Sequence, residues 1–249
     1  MIKRIIKTFI ISGLCFGFLM VLNNAEANLH KKKNKDGIVY WHGDSARNKI
    51  ALTFDDGPQD IYTPQALDIL KKHNVKATFF LIGKNVEVSP GLAKRIVDEG
   101  HVVGNHTYNH SDLRLHNQMQ IRQQIEKTGK AIFDATGVKP YLFRSPYGFY
   151  NNVVVQEAES LGYTIIQWSV SGLNGRQDAS FSKIVHRVVD NIQNGSIILL
   201  HDGNRLSSKK NRSQIVKALP IIIETLQKKG YQLVTVDELL LEKGGIKSF

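Results

Sequence analysis

The chain has 249 residues, 42% of them hydrophobic, with 33 Lys and Arg against 22 Asp and Glu for a net charge of +11. That size fits one domain with a large buried core, and a single cysteine, Cys15, excludes a disulfide framework. No nucleic-acid-binding motif or ordered basic helix accompanies the positive charge, so an anionic cell-wall polymer is the more natural partner, with solubility alone as the other reading.

The first segment, residues 1–27, opens Met1-Ile2-Lys3-Arg4, runs apolar from Thr8 to Leu22 and ends Ala25-Glu26-Ala27. A basic start, short apolar core and Ala-x-Ala ending describe a secretory signal peptide cleaved after Ala27. The alternative is a retained anchor, but the apolar run falls short of the roughly 20 residues a spanning helix needs. The expectation is therefore a secreted, cell-wall-associated monomer with no stable membrane insertion. Residues 28–37 carry Lys31-Lys32-Lys33 and no core pattern, and read as a basic tether.

From Ile38 onward, short apolar runs alternate with helical patterns. Strands are predicted at Lys49–Phe54, Ala77–Leu81, Val102–Asn105, Tyr141–Arg144, Tyr163–Trp168, Ser196–His201 and Tyr231–Val234. Helices are predicted at Thr63–His73, Pro90–Glu99, Gln118–Thr136, Asn151–Leu161, Phe181–Ile192 and Ser213–Lys229. Gly100, Gly137, Gly162 and Gly230 stand where helix C-caps are expected, and Pro64 falls in a first turn. This alternation predicts an α/β domain over residues 38–243 with a parallel sheet, either open or closed into a barrel.

The chemistry-bearing residues fall at the carboxyl ends of these strands, where parallel sheets and barrels place their sites. Asp55-Asp56-Gly57-Pro58 follows the first strand and His106 the third, with His110 four residues on. Arg144 ends the fourth, Trp168 the fifth and His201 the sixth. One carboxylate and two imidazoles can hold a divalent metal with open positions, leaving a second carboxylate as a base. If residues 106–110 are helical, the i, i+4 spacing puts both rings on one face.

The segments Thr53–Pro58, His106–Ser111, Arg144–Tyr147 and Leu199–His201 resemble four of the five motifs of the polysaccharide deacetylases, carbohydrate esterase family 4 or the NodB-homology domain. The resemblance implies a distorted (β/α) barrel of about seven parallel strands. It implies removal of N-acetyl groups from GlcNAc or MurNAc units of an acetylated glycan, peptidoglycan first, with release of acetate. It implies Asp56, His106 and His110 as metal ligands, Asp55 as general base and Arg144 as its orienting partner. Tyr147, next to Pro146, would supply a backbone N–H to the oxyanion. His201 would be the general acid, and Trp168 and Leu199 would line the acetyl pocket. Zn²⁺ is the first choice of ion, with Co²⁺, Mn²⁺, Ni²⁺ or Fe²⁺ compatible with the same ligands. A neighbouring Arg144 cation should hold Asp55's pKa down.

One motif departs from the family. Where Asp-x-x-Asp-Trp is usual, this chain has Ser171-Gly172-Leu173-Asn174-Gly175. The aspartate that would hydrogen-bond the catalytic histidine is missing, so His201 is expected to have a lowered pKa. The alternatives are an O-acetyl xylan-type esterase using the same atoms, or a catalytically weakened carbohydrate-binding member.

Overall fold

The computed structural model describes residues 39–172, 179–208 and 210–241. The signal and tether segments, and Leu173, Asn174 and Gly175, lie outside the described residues. The elements begin with β1 (Val39–Tyr40), β2 (Lys49–Gly57), α1 (Tyr62–Lys72), β3 (Thr78–Leu81), α2 (Gly83–Val88), α3 (Pro90–Asp98) and β4 (Val102–Asn105). They continue with α4 (Gln118–Thr136), β5 (Leu142–Phe143), α5 (Asn152–Ser160), β6 (Thr164–Ile166) and β7 (Val170–Ser171). The chain then runs through α6 (Phe181–Asn191), β8 (Ile197–His201), α7 (Ser213–Lys228), β9 (Gln232–Val234) and α8 (Val236–Leu241).

The strands form one sheet in the order β1-β6-β5-β4-β3-β2-β8-β7, with β9 pairing the start of β2. Every strand pair among the described residues is parallel. The sheet curls into a distorted (β/α) barrel, as the motif resemblance implied. Seven strands were expected; β1 and β7, two residues each, bring the described total to nine. Two-residue strands are too short to show a period, as are the six-residue helices α2 and α8, which periodicity also missed.

β2 is the axis of the fold. It pairs with β3, β8 and β9, and Ile50 through Gly57 are all buried. A strand covered on both faces reads as a continuous apolar run, which Ile50–Phe54 is. Phe54 stacks on Phe79 of β3 with ring centroids 4.9 Å apart. Around the sheet, α7 buries Ile215, Ala218, Leu219, Ile222, Ile223 and Leu226, one helical stripe. Each fully buried Leu or Ile contributes about 1.5–3 kcal/mol. α4 is bracketed by an Asn117/Gln120 capping box and by Gly137 at φ 76°, a left-handed C-cap that glycine adopts without strain.

Two local expectations are corrected. β2 continues through Gly57, so Asp55 and Asp56 belong to the strand's last turns of the ladder rather than to a following loop. The ladder to β3 shifts register between Asp55 and Gly57, a bulge that re-aims consecutive side chains. Residues 106–110 form no helix. The two imidazoles meet because Thr107 and His110 adopt left-handed backbone, φ 66° and 58°, and fold the loop back on itself.

Candidate metal-dependent active site

Among the described residues, five non-glycine positions have positive φ; three belong to the predicted site, Asp56 (72°), His110 and Tyr147 (61°), and a fourth, Thr107, lies between the two ligand histidines. Such backbone costs on the order of 1–3 kcal/mol per residue and persists where the surroundings impose it. Here they do. Asn85 Nδ2 donates to Asp56 O at 2.8 Å. Asn105 Oδ1 accepts from Thr107 N–H at 3.0 Å, and Thr107 Oγ1 from His110 N–H at 3.1 Å.

Asp56, His106 and His110 are buried and offer ligand atoms all within 4.8 Å of one another. Asp56 Oδ1 lies 3.1 Å from His110 Nε2 and 3.6 Å from His106 Nε2. That oxygen is buried and has no aligned hydrogen-bond donor. His106 Nδ1 donates to Arg144 O at 2.7 Å, which fixes the tautomer and leaves the Nε2 lone pair facing Asp56. Burial lowers His106 to about 3, with His110 pushing the same way, so the imidazole is neutral as ligation requires. Burial alone would raise Asp56, but His110, His201 and His106 outweigh it and hold the carboxyl well below its ordinary range. An orphaned buried carboxylate oxygen facing two imidazoles fits a divalent cation.

Asp55 is paired separately. Arg144 Nη1 contacts Asp55 Oδ1 at 2.6 Å and Thr53 Oγ1 at 2.8 Å. Its Nε and Nη2 donate to Ile166 O and Gln167 O at 3.2 and 3.0 Å, and its plane lies 4.0 Å over the Phe80 ring. Each nitrogen of the fully buried guanidinium thereby has an acceptor. The expected lowering of Asp55 is not what results. Burial raises its carboxyl and outweighs the opposing pull of Arg144 and His201.

His201 ends β8 opposite Asp55 in register. Its pKa falls to about 4, chiefly through burial and then through Arg212, against the pull of Asp56 and Asp55. His201 Nδ1 is buried without a hydrogen-bond partner among the described residues, and Ser171 pairs instead with Leu199 in the ladder. Asn174 lies outside the described residues. Leu199 is 5% exposed and sits opposite Thr53. Trp168 backs onto Gly148, where an added Cβ would come within 2.6 Å of its ring. Pro146 is buried, whereas the Tyr147 side chain is exposed and sets its ring edge-on to His110 at 4.7 Å.

Three neighbours escaped the sequence reading. Asp202 is buried beside Gly57, accepts from Thr63 Oγ1 at 2.5 Å, and is raised to about 7 by burial. Asn85 bridges Asp56 O and Asn204 O. Arg212 Nη2 lies 3.3 Å from Asp56 Oδ2. Only Asp202, adjacent to His201, had any signal in the sequence.

The polysaccharide deacetylase family model matches residues 42–166. A peptidoglycan-N-acetylglucosamine deacetylase of Bacillus cereus is 40% identical over 222 residues, 86% of this chain and 99% of that protein. The Bacillus subtilis peptidoglycan-N-acetylmuramic acid deacetylase is 32% identical over 234 residues, 92% of this chain and 86% of that one. The crystal structure of a peptidoglycan N-acetylglucosamine deacetylase bound to a naphthalenyl N-hydroxybenzamide superposes with a TM-score of 0.76 at 38% identity, covering 82% of this chain and 93% of that one. The family-model match, the identity over nearly the full length of these relatives and the shared barrel make this chain a member of the polysaccharide deacetylases of carbohydrate esterase family 4, hydrolases that cleave the C–N bond of N-acetyl groups.

Proposed function

We propose that the protein is a secreted, metal-dependent deacetylase that removes N-acetyl groups from peptidoglycan, GlcNAc units first and MurNAc units second. The observation that carries this reading is the Asp56–His106–His110 cluster, ligand atoms within 4.8 Å, standing beside a second carboxylate held by a buried arginine. The names of the Bacillus relatives support the polymer.

Asp56, His106 and His110 would hold the cation, Zn²⁺ before Co²⁺, Mn²⁺, Ni²⁺ or Fe²⁺. When bound, the ion supplies Lewis-acid polarisation of the acetyl carbonyl and makes water more acidic. Asp55 takes the proton from the attacking water, and burial, by raising its carboxyl, makes it a stronger base than an ordinary aspartate. Arg144 keeps the Asp55 carboxylate aimed through the 2.6 Å contact. Tyr147 turns its backbone N–H toward the oxyanion, and Leu199 and Trp168 enclose the acetyl methyl. His201, its pKa lowered to about 4, is neutral in the free protein; the proton it delivers to the leaving nitrogen is the one Asp55 takes from the attacking water, Asp55 standing opposite it in register. The test is acetate release from peptidoglycan, poly-N-acetylglucosamine, chitopentaose and acetylxylan, with and without chelator. Chelator-sensitive release from peptidoglycan is expected. Release from acetylxylan alone, or from none by metal-loaded protein, overturns the reading.

A further inference from the structure

Arg212 is the wrong residue for its place in the helix. It occupies the N-cap of α7 and makes no side-chain capping bond, although helix N-termini favour Ser, Thr, Asp or Asn and disfavour cations. The capping is done one residue earlier, where Asn211 Oδ1 accepts from Ser213 N–H at 2.8 Å. The guanidinium is instead turned inward and 6% exposed. Its Nε donates to Gly203 O at 2.9 Å, and its Nη2 reaches Asp56 Oδ2 at 3.3 Å. Gly203 lies so close to Asp56 that an added Cβ would fall 2.2 Å from the Asp56 carbonyl oxygen. The segment between β8 and α7 thus clasps the strained Asp56 from both its backbone and its side chain.

We propose that Arg212 is the positioning residue for Asp56: by taking Oδ2 it presents Oδ1 alone to the His106–His110 pair and makes Asp56 a one-oxygen ligand. This inference rests on the metal-site reading above. A fixed cation beside the site repels an incoming divalent ion by charge alone. Arg212 therefore aids binding only by orienting the carboxylate, and that gives the test its sign. Losing the orientation should weaken metal binding, whereas losing only the charge should strengthen it.

The experiment titrates metal-free full-length protein with Zn²⁺ against a competing chelator, for wild type, Arg212→Gln, Arg212→Lys and Asp56→Ala. Folding is followed by circular dichroism, and Co²⁺ substitution reports the ligand geometry in the visible spectrum. Arg212→Gln should bind about 10- to 100-fold more weakly, the range for lost second-sphere contacts, with an altered Co²⁺ spectrum. Arg212→Lys should fall between, because an ammonium cannot span Gly203 O and Asp56 Oδ2 as the fork does. Unchanged or tighter binding by folded Arg212→Gln overturns the proposal. If that variant does not fold, Arg212→Lys decides: weakened binding supports the proposal and wild-type affinity overturns it. Wild type binding no better than Asp56→Ala would instead remove the metal site, and the proposal with it.

Discussion

Arg144 carries a charge in a place with no water, and what makes this tolerable is that Asp55, Thr53, Ile166 and Gln167 all accept from it. Removing one partner of a buried, hydrogen-bonded ion pair costs about 3–5 kcal/mol. Arg144→Met should therefore lower unfolding stability by that amount in a denaturant titration; a loss under about 1 kcal/mol would show the pair to be weakly coupled. Asp55→Asn tests the base while keeping all three ligand residues, the replaced oxygen Oδ2 lying 3.7 Å from His106 Nε2. It should retain metal, read by elemental analysis, while acetate release falls about 10²- to 10⁴-fold, the usual contribution of a positioned base. Of these two residues the sequence disclosed identity and order. Burial reversed the direction expected of Asp55, because desolvation depends on neighbours far along the chain.

At the scale of elements, the site is built from strand ends and the loops that leave them. The β2 bulge, the 106–110 loop and the turn at Tyr147 each hold a side chain at positive φ, and each is pinned by polar side chains or by packing from another element. The clasp around Asp56 has almost no spare room. Gly203→Ala should destabilise the protein by about 1–3 kcal/mol, the range for overpacking a tight contact, and weaken metal binding in the same sample. Wild-type values in both would show that the segment yields easily. Sequence periodicity located the long elements well: α4 and β4 match their predicted bounds, and α1, α3, α5, α6 and α7 differ by a residue at one or both ends. It failed on the two-residue strands β1 and β7, on the six-residue helices α2 and α8, and on the His106–His110 loop. There an i, i+4 spacing fits a helix and a left-handed turn equally, and only packing separates them.

Over the whole molecule, the basic charge and the lack of disulfides leave stability to the core and to buried polar groups. His101 is one that responds to pH. It is 5% exposed, its Nδ1 accepts from Ala77 N–H at 3.1 Å, and burial, followed by Lys76, lowers its pKa to about 4. Above the unfolded value of about 6.5 the ring is neutral in both states; below it the unfolded chain takes up a proton that the folded chain refuses. Stability should therefore fall as pH drops from about 6.5 to 4, by on the order of 2 kcal/mol between pH 7.5 and 5 from this residue. His101→Asn should flatten that part of the slope in thermal melts. A slope identical to wild type would show that other groups carry it.

The amino-acid order by itself determined the strand–helix alternation, the parallel sheet and the residue types of the chemistry, because apolar period and short motifs are local properties; closure into a barrel was implied only by the family resemblance. It also determined which expected carboxylate is absent, at Ser171 and Asn174. Only the tertiary structure decided that Asp56, His106 and His110 meet, that Arg212 reaches in from a helix N-cap to hold Asp56, and how far each buried group departs from its ordinary pKa. Those outcomes depend on which distant segments are packed together and how completely water is excluded between them, and no local pattern in the chain encodes either.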